Sequence, residues 1–416
     1  MFKIRDFNWP IVFLWLCLVT IGLISIYSAT QGPVARFLPA YIQDNFLKQV
    51  IYIVVGIAII AGMQLVNPRF FKEGAYLFYA LGLLLMVLTL LIGTEINGAK
   101  SWLNLGFFNL QTSELMKIAT ILATGTYLTS QRNISAENFK HASVTVALIL
   151  IPAVLIIMQN DLGSSIIFFS LIPIMLFWSG LPQGFSLFMI SPIIITYTSI
   201  IGWYWGLLSA VILTFLIFLL QRRKWLTLAT LITGVVLVIG VEAGLNKVLK
   251  PHQRARIVSF TNPHFEPQGA GWNVIQAKTA IGSGGLWGKG YMEGTQTQLR
   301  FLPEQWTDFI YCVISEEFGF VGSTIVLALF ILFFLLLLRT AREHKNSFAQ
   351  IIVVGVTWVY FIHFLINVGS TMGLIPIVGL PLPFISYGGS SMITNTLMLA
   401  ICLNLDYFKR KLSIYR

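Results

Sequence analysis

The chain has 416 residues, of which 56% are hydrophobic and only 10% are charged, and its net charge is +11. Soluble domains are about 25% charged, so this composition excludes a soluble globular protein and predicts a membrane protein surrounded by lipid. In a membrane protein, an excess of basic residues is explained by their concentration in the cytoplasmic loops. The positive net charge therefore does not indicate nucleic-acid binding, and we expect no nucleic-acid partner.

Apolar segments recur along the whole chain, each close to the roughly 20 residues that a helix needs to cross the hydrocarbon core. We therefore predict one all-α domain over residues 1–416, a polytopic transmembrane helical bundle of about twelve spans. The predicted spans are 11–29, 47–66, 75–93, 113–129, 142–158, 162–180, 184–201, 203–220, 225–244, 318–338, 350–372 and 384–405.

Basic residues indicate which side of the membrane each connection occupies. With the N-terminus in the cytoplasm, the short outer loops hold only Arg36, Lys48 and Lys100, whereas inner connections such as 222–224 are rich in arginine and lysine. Basic residues favour the cytoplasmic side, so we predict that both termini are cytoplasmic. The same orientation places the long segment 245–307 outside.

The outer segment 245–307 is rich in glycine, notably from Gly282 to Gly290. Loops of this length in a compact bundle are usually functional. Glycine backbone near Arg254 and Arg256 can cradle phosphate oxygens. A flexible outer loop that contacts lipid headgroups is the alternative, and the residues alone favour neither.

Two acidic residues stand at the end of this segment and just after it. Pro303 suits the first position of a helix, which would place Glu304 and Asp308 four residues apart on one face. Polar or small residues continue at helical spacing beyond Asp308, so this face is a candidate cavity wall. The alternative is that both acids only favour the positive N-terminal end of the helix.

The fourth predicted span opens with Ser113, Glu114 and, one turn deeper, Lys117. A lysine at that depth must pair, reach the interface or face water. Glu114 lies three residues before Lys117 and is an available partner. A structural ion pair and a substrate contact both fit this spacing.

Other polar residues interrupt the apolar pattern. Asp161 is predicted to cap the sixth span. Prolines precede Ser386 near the outer end of the last span, and broken backbone at membrane depth is tolerated where it is buried or lines a wet cavity. Ser386 is therefore a candidate substrate-binding residue. His363, alone within a span, is predicted to pack rather than to bind a ligand.

A series of short motifs runs from residue 97 to residue 390 in a characteristic order. The motifs are Asn97–Trp102, Gln111–Lys117, Asp161–Gly163, Ala280–Leu286, Gly294–Gln296, Phe301–Glu304, Thr307–Phe309, Glu316–Glu317 and Ser386–Ser390. Together they resemble the SEDS family (shape, elongation, division and sporulation), and the resemblance covers roughly residues 10–410.

The resemblance implies a bacterial peptidoglycan glycosyltransferase of the cytoplasmic (inner) membrane, active in cell-wall elongation and cell-shape maintenance. Such proteins polymerise lipid II on the outer face and work with a class B penicillin-binding protein, a transpeptidase. Their essential aspartate corresponds to Asp308. Glu114, Lys117 and Glu304 match positions that line the family's central cavity.

Two features depart from the family pattern. A histidine usually precedes the Thr-Asp-Phe motif, but here the residue is Trp306, so no proton role of that histidine carries over. The family usually has ten spans rather than twelve. The surplus is the pair over 184–220, an inserted helix pair that preserves the orientation of the segment 245–307. The pair carries no charged residue, so we expect it to lie outside the cavity that holds Asp308.

Glycosyl transfer needs a base for the acceptor hydroxyl and positive charge for the pyrophosphate leaving group. Asp308 is the candidate base, and direct displacement would invert the anomeric centre. The charge can come from Lys117, Arg254 or Arg256, or from Mg²⁺ or Mn²⁺ held by Asp308 and Glu304. No other cofactor is expected, and the residues do not decide whether Asp308 is a base or a metal ligand.

The alternative function is that of a lipid II flippase, since a many-span bundle with polar residues and broken helices also suits a transporter. Glu114, Lys117, Glu304 and Asp308 all fall at the predicted outer side. A transporter needs polar groups through the full depth of the membrane, so this distribution favours the enzyme.

Overall fold

The computed structural model describes residues 7–96, 98–104, 106, 109–130, 139–247, 257–258, 260–262 and 270–409. Within them, twelve helices of at least 17 residues confirm the predicted all-α bundle, while the number of twelve spans stays a prediction. These helices are α1 (Trp9–Gln31), α3 (Asn45–Met63), α5 (Ala75–Ile92), α6 (Thr112–Ser130), α7 (Phe139–Met158), α8 (Leu162–Trp178), α9 (Gln183–Ile201), α10 (Trp203–Gln221), α11 (Lys224–Lys247), α14 (Ile310–Glu343), α15 (Ser347–Thr371) and α16 (Gly389–Tyr407).

Shorter elements connect these helices. They are a 3₁₀ turn (Pro33–Phe37), α2 (Ala40–Gln43), α4 (Arg69–Glu73), α12 (Ala270–Ser283) and α13 (Thr295–Gln298). Nine of the described helices are long and apolar enough to cross a membrane. Of the other three long helices, α6 and α16 carry polar residues that are almost all buried inside the bundle. The protein is thus a multi-pass membrane protein with polar helices at its centre.

Helix α15 lies at the centre of this bundle. Of its most apolar stretch 78% is buried, against 22% for α3, α10 and α11. It packs against α6, α8, α14 and α16, while α1 packs on α14 and α3 on α16. Polar side chains on α6 and α15 therefore meet inside protein rather than in lipid, where they can find partners.

Helices α9 and α10 cover residues 184–220, the segment predicted to be an inserted pair. They pack on each other and on α11, around a small separate cluster of buried side chains. The cluster contains Ile195, Ala210, Leu213 and Val238. Tyr197 Oη donates a 2.6 Å hydrogen bond to the carbonyl oxygen of Leu374. The insertion relative to the family and its separation from the site stay predictions.

A small antiparallel sheet, which the sequence did not reveal, precedes α6. It contains β1 (Thr94–Ile96), β2 (Ala99–Asn104) and β3 (Asn109–Gln111) in that order. Gln111 Nε2 donates to Asp161 Oδ2 at 2.9 Å. Asp161 also accepts from the backbone nitrogen of Ser164, which confirms it as the cap of α8. The sheet therefore ties the start of α6 to the start of α8.

Helix α14 is broken at Gly319, where φ is 66° and ψ is −159°. The backbone of residues 284–290 fills the break. The nitrogens of Phe320 and Val321 donate to the carbonyl oxygens of Gly285 and Leu286 at 2.9 and 3.1 Å. Lys289 and Gly290 in turn donate to the carbonyl oxygens of Glu316 and Glu317, so this loop satisfies backbone groups that a broken membrane helix would leave unpaired.

The glycines of the outer segment make this close approach possible. A Cβ atom at Gly288 would lie 2.0 Å from the carbonyl oxygen of Glu317, and the φ of Gly288 is +83°. A Cβ atom at Gly284 would lie 2.1 Å from the carbonyl oxygen of Ser315. In the structure these glycines contact the protein backbone. The sequence analysis considered phosphate binding and a flexible loop at the lipid headgroups, and it did not predict this packing.

Glu316 fixes the rest of the same loop. Its carboxylate accepts hydrogen bonds from Lys289 Nζ at 2.8 Å and from the backbone nitrogens of Gln296 and Thr297, both at 2.9 Å. The carboxylate is fully buried, whereas Lys289 is partly exposed. Lys289 is thereby held as a structural partner of the loop.

We expect Gly288→Ala to destabilise the protein by about 2–5 kcal/mol, because it combines a left-handed residue with overpacking against a backbone carbonyl. Gly240→Ala is the matched control, since no atom lies within 4 Å of the added Cβ, and it should be neutral or slightly stabilising. Thermal unfolding of both purified variants measures the difference. Equal melting temperatures would show that the loop does not depend on this contact.

Candidate active site

Asp308 lies in a turn before α14. Residues 303–309 form consecutive turns and α14 begins at Ile310, so the prediction that a helix starts at Pro303 is wrong. The cause is the left-handed conformation of Glu304, whose φ is 50°. The carbonyl oxygen of Glu304 accepts from the backbone nitrogens of Thr307 and Asp308 at 3.2 and 3.1 Å. Glu304 and Asp308 therefore do not share the face of one regular helix.

Three consecutive carbonyl groups around Asp308 are bound by the C-terminal part of the chain. The backbone nitrogen of Tyr387 donates to the Trp306 carbonyl at 2.9 Å. Ser386 Oγ donates to the Thr307 carbonyl at 2.6 Å, and Asn367 Nδ2 donates to the Asp308 carbonyl at 3.0 Å. The backbone position of Asp308 is therefore fixed from α15 and from the segment before α16.

Asp308 is half-buried, and its carboxylate lies beside Gly379. A Cβ atom at Gly379 would come within 3.4 Å of Asp308 Oδ2, and the φ of Gly379 is +79°. This left-handed conformation favours glycine beside the carboxylate. Glu304 is exposed on the same turn as Asp308.

Glu114, Lys117 and His363 form a buried polar cluster between α6 and α15. Lys117 Nζ lies 2.8 Å from Glu114 Oε1, which confirms the pair expected from their spacing. Lys117 Nζ also lies 2.9 Å from His363 Nε2, and all three side chains are almost completely buried. Among the described residues, Glu114 Oε2 has no hydrogen-bond partner. His363 is fully buried, in agreement with the prediction that it packs inside the protein, and its ring also makes two polar contacts.

Helix α15 holds the segment 372–388 through two side chains one turn apart. His363 Nδ1 lies 3.2 Å from the carbonyl oxygen of Pro381, and Asn367 Nδ2 donates to the carbonyl oxygen of Leu380 at 2.9 Å. Asn367 is the residue that also binds the Asp308 carbonyl. The buried cluster and Asp308 are thus linked through this segment.

The sequence did not identify His363 or Asn367 as site residues. A detectable signal was present, since two polar residues at positions i and i+4 within a membrane helix must face a polar partner. The identity of that partner, the backbone before α16, depends on contacts between distant parts of the chain.

The other predicted site residues occupy different environments. Ser386 is only 4% exposed, and besides its bond to Thr307 it accepts from the backbone nitrogen of Leu382 at 2.9 Å. These contacts make it part of the support for Asp308, and its role in substrate binding stays a prediction. Arg254 and Arg256 lie outside the described residues.

A metal ion at this site would need ligands from the substrate. The described residues contain no group of three or more histidine, cysteine, aspartate or glutamate side chains that would enclose an ion. Mg²⁺, however, often binds one or two carboxylates together with substrate phosphates and water. Asp308 and the exposed Glu304 suit that arrangement, so a divalent cation stays a proposal.

Comparison with known proteins identifies the family. Residues 8–209 and 205–411 match the family described as FtsW/RodA/SpoVE, cell cycle protein. The peptidoglycan glycosyltransferase RodA of Treponema pallidum is 34% identical over 97% of this chain and 98% of its own length. The peptidoglycan glycosyltransferase MrdB of Escherichia coli is 31% identical over 87% of this chain and 85% of its own length.

A solved structure supports the same fold. It is described as showing the coordination of polymerization and crosslinking by a peptidoglycan synthase complex. One of its chains superposes with a TM-score of 0.72 at 24% identity and covers 96% of this chain, while this chain covers 97% of it. With its sequence matched over nearly its whole length, this chain belongs to the FtsW/RodA/SpoVE family of cell-cycle proteins.

Proposed function

We propose that this chain is a glycosyltransferase that polymerises lipid II into glycan strands during cell-wall elongation and cell-shape maintenance. The observation that carries the proposal is the support of Asp308, whose backbone is fixed by hydrogen bonds to three consecutive carbonyl groups. Its half-buried side chain lies beside Gly379. The names of the relatives supply the reaction class. The likeness to RodA favours elongation over division.

Asp308 acts as the general base in this proposal. Its carboxylate takes the proton from the 4-hydroxyl of the acceptor sugar, and the oxygen attacks the anomeric carbon of the donor. The new C–O bond forms as the bond to undecaprenyl pyrophosphate breaks, and the electron pair leaves on the pyrophosphate. Because attack and departure occur on opposite sides, the anomeric centre inverts. A positioned base contributes about 10²–10⁴-fold to the rate.

The leaving pyrophosphate needs positive charge nearby. Lys117 is completely buried and bound to Glu114 and His363, so its charge acts on the site through the surrounding protein. Arg254, Arg256 and a divalent cation held by Asp308 and Glu304 are the groups proposed to meet the phosphates directly. Such charges stabilise the leaving group most where water is excluded.

A lipid II flippase is the second candidate. Along α6, the charged residues are Glu114 and Lys117 in the first two turns. The deeper Thr124 donates its hydroxyl back to the carbonyl oxygen of Thr120 at 2.6 Å. In the described part of this helix, charge is confined to one end, which supports a reaction at one membrane surface over a path through the membrane.

The partner proposed for this chain is a class B penicillin-binding protein, which crosslinks the strands. The structural neighbour from a synthase complex that coordinates polymerization and crosslinking supports this pairing. The direct experiment for the function is polymerisation of purified lipid II by the purified protein, with and without this partner.

We also propose that both termini are cytoplasmic and that segment 245–307 is extracytoplasmic. In a variant without the native cysteines, a cysteine replacing Ser283 should react with an impermeant thiol reagent added to intact cells. A cysteine replacing Ser413 should react only after permeabilisation. The reverse pattern would show the opposite orientation.

A further inference from the structure

The hydrogen-bond partners of His363 define its protonation state. Lys117 carries an ammonium group, which can only donate, so His363 Nε2 must accept the 2.9 Å hydrogen bond. The proton of a neutral ring then resides on Nδ1, which faces the carbonyl oxygen of Pro381 at 3.2 Å. Both contacts are satisfied at once only by a neutral imidazole with its proton on Nδ1.

The segment that His363 contacts is also the one that supports Asp308. Side chains of α15 bind the carbonyl oxygens of two successive residues, with Asn367 on Leu380 and His363 on Pro381. The next residue, Leu382, donates its backbone nitrogen to Ser386 Oγ. The same hydroxyl donates to the carbonyl of Thr307. A shift of Pro381 would therefore also move the backbone beside Asp308.

The side chains that make these contacts are buried, so water cannot readily take the place of a lost hydrogen-bond partner. His363 and Lys117 are 0% exposed and Asn367 is 1% exposed. A buried polar group that loses its hydrogen-bond partner destabilises the structure, because no water replaces the lost contact. The contact between His363 and the Pro381 carbonyl therefore stabilises one position of the segment before α16.

We infer that His363 is a positioning residue for the glycosyl transfer proposed above. Its neutral ring joins Lys117 to the Pro381 carbonyl and thereby fixes the segment 380–387 that holds the backbone of Asp308. The inference rests on the proposed function, and it assigns His363 no contact with the substrate.

Two substitutions separate this role from simple packing. In His363→Gln, the amide oxygen can accept from Lys117 and the amide nitrogen can donate to Pro381. His363→Met fills similar space but offers neither contact. We expect His363→Met to lower kcat by roughly 10²-fold, the loss typical of an ångström-scale misplacement, with KM for lipid II little changed. His363→Gln should recover kcat to within roughly tenfold of the unsubstituted protein, because it restores both hydrogen bonds.

The measurement is lipid II polymerisation by the full-length protein with its penicillin-binding protein, at matched amounts of folded protein. If folded His363→Met keeps normal kcat, or if His363→Gln loses as much as His363→Met, the inference is wrong. If the unsubstituted protein forms no glycan, the proposed function fails instead.

A second measurement needs no enzymatic activity. In ¹⁵N-histidine-labelled protein, the resonances of His363, assigned by their absence in His363→Gln, should show a protonated Nδ1 and an unprotonated Nε2. A proton on Nε2, or a doubly protonated ring, would contradict the inference.

Discussion

Asp308→Asn is expected to reduce glycan polymerisation by about 10²–10⁴-fold while leaving the protein folded. Asparagine has nearly the same size and can keep the backbone contacts that Asp308 makes through Asn367. It cannot accept the proton of the acceptor hydroxyl. If Asp308 only interacted with the positive N-terminal end of α14, Asp308→Asn would lower the stability of the protein by about 0.3–1 kcal/mol, and polymerisation would continue.

The measurement is the rate of strand formation from lipid II at matched protein levels. Glu343→Gln is the control, because it is the same change of acid to amide at an exposed ion pair with Arg339 near the end of α14, and its rate should stay normal. Near-normal polymerisation by folded Asp308→Asn would remove Asp308 from the reaction and leave Glu304 and Glu114 as candidates.

A chelator separates the two possible roles of Asp308. If the carboxylate holds a divalent cation, activity of the unsubstituted protein should fall with a chelator and return with Mg²⁺ or Mn²⁺. If Asp308 is only a base, the chelator should have no effect on the rate.

Lys117→Met is expected to destabilise the protein by about 3–5 kcal/mol, because it leaves the Glu114 carboxylate buried without its cation. His363 Nε2 loses its donor at the same time. Thermal unfolding and the yield of folded protein measure this loss.

The double variant Glu114→Leu/Lys117→Met is the matched comparison. Replacing both members of a buried ion pair by apolar residues is often neutral or stabilising, so much of the lost stability should return. Polymerisation should remain low, because the contact from Lys117 to His363 is still missing. A double variant no more stable than Lys117→Met would show that the pair is not the source of the loss.

The spans could be predicted because lipid imposes a length and a polarity on each of them. Local spacing also sufficed for the Glu114–Lys117 pair and for the cap at Asp161, since each joins residues three positions apart. The apolar pattern gave no sign of the sheet at 94–111, whose strands are short and polar.

The support of Asp308 could not be predicted, because it joins residues far apart in the chain. Asn367 lies 59 positions from Asp308, and Ser386 lies 79 positions from Thr307. Pro303 suggested a helix that the left-handed backbone of Glu304 prevents. The glycine-rich stretch from Gly282 to Gly290 fitted either a loop that cradles phosphate or a flexible outer loop. In the structure, Gly284 and Gly288 lie against the broken backbone of α14, a contact between distant parts of the chain.

The central claim, that this chain polymerises lipid II, is tested most directly with the purified full-length protein in lipid vesicles. Lipid II is supplied with and without the class B penicillin-binding protein, and glycan strands are resolved by length. We predict strands with the unsubstituted protein and few or none with Asp308→Asn. Absence of strands under both conditions, together with transfer of lipid II between the two leaflets, would contradict the claim and identify a flippase.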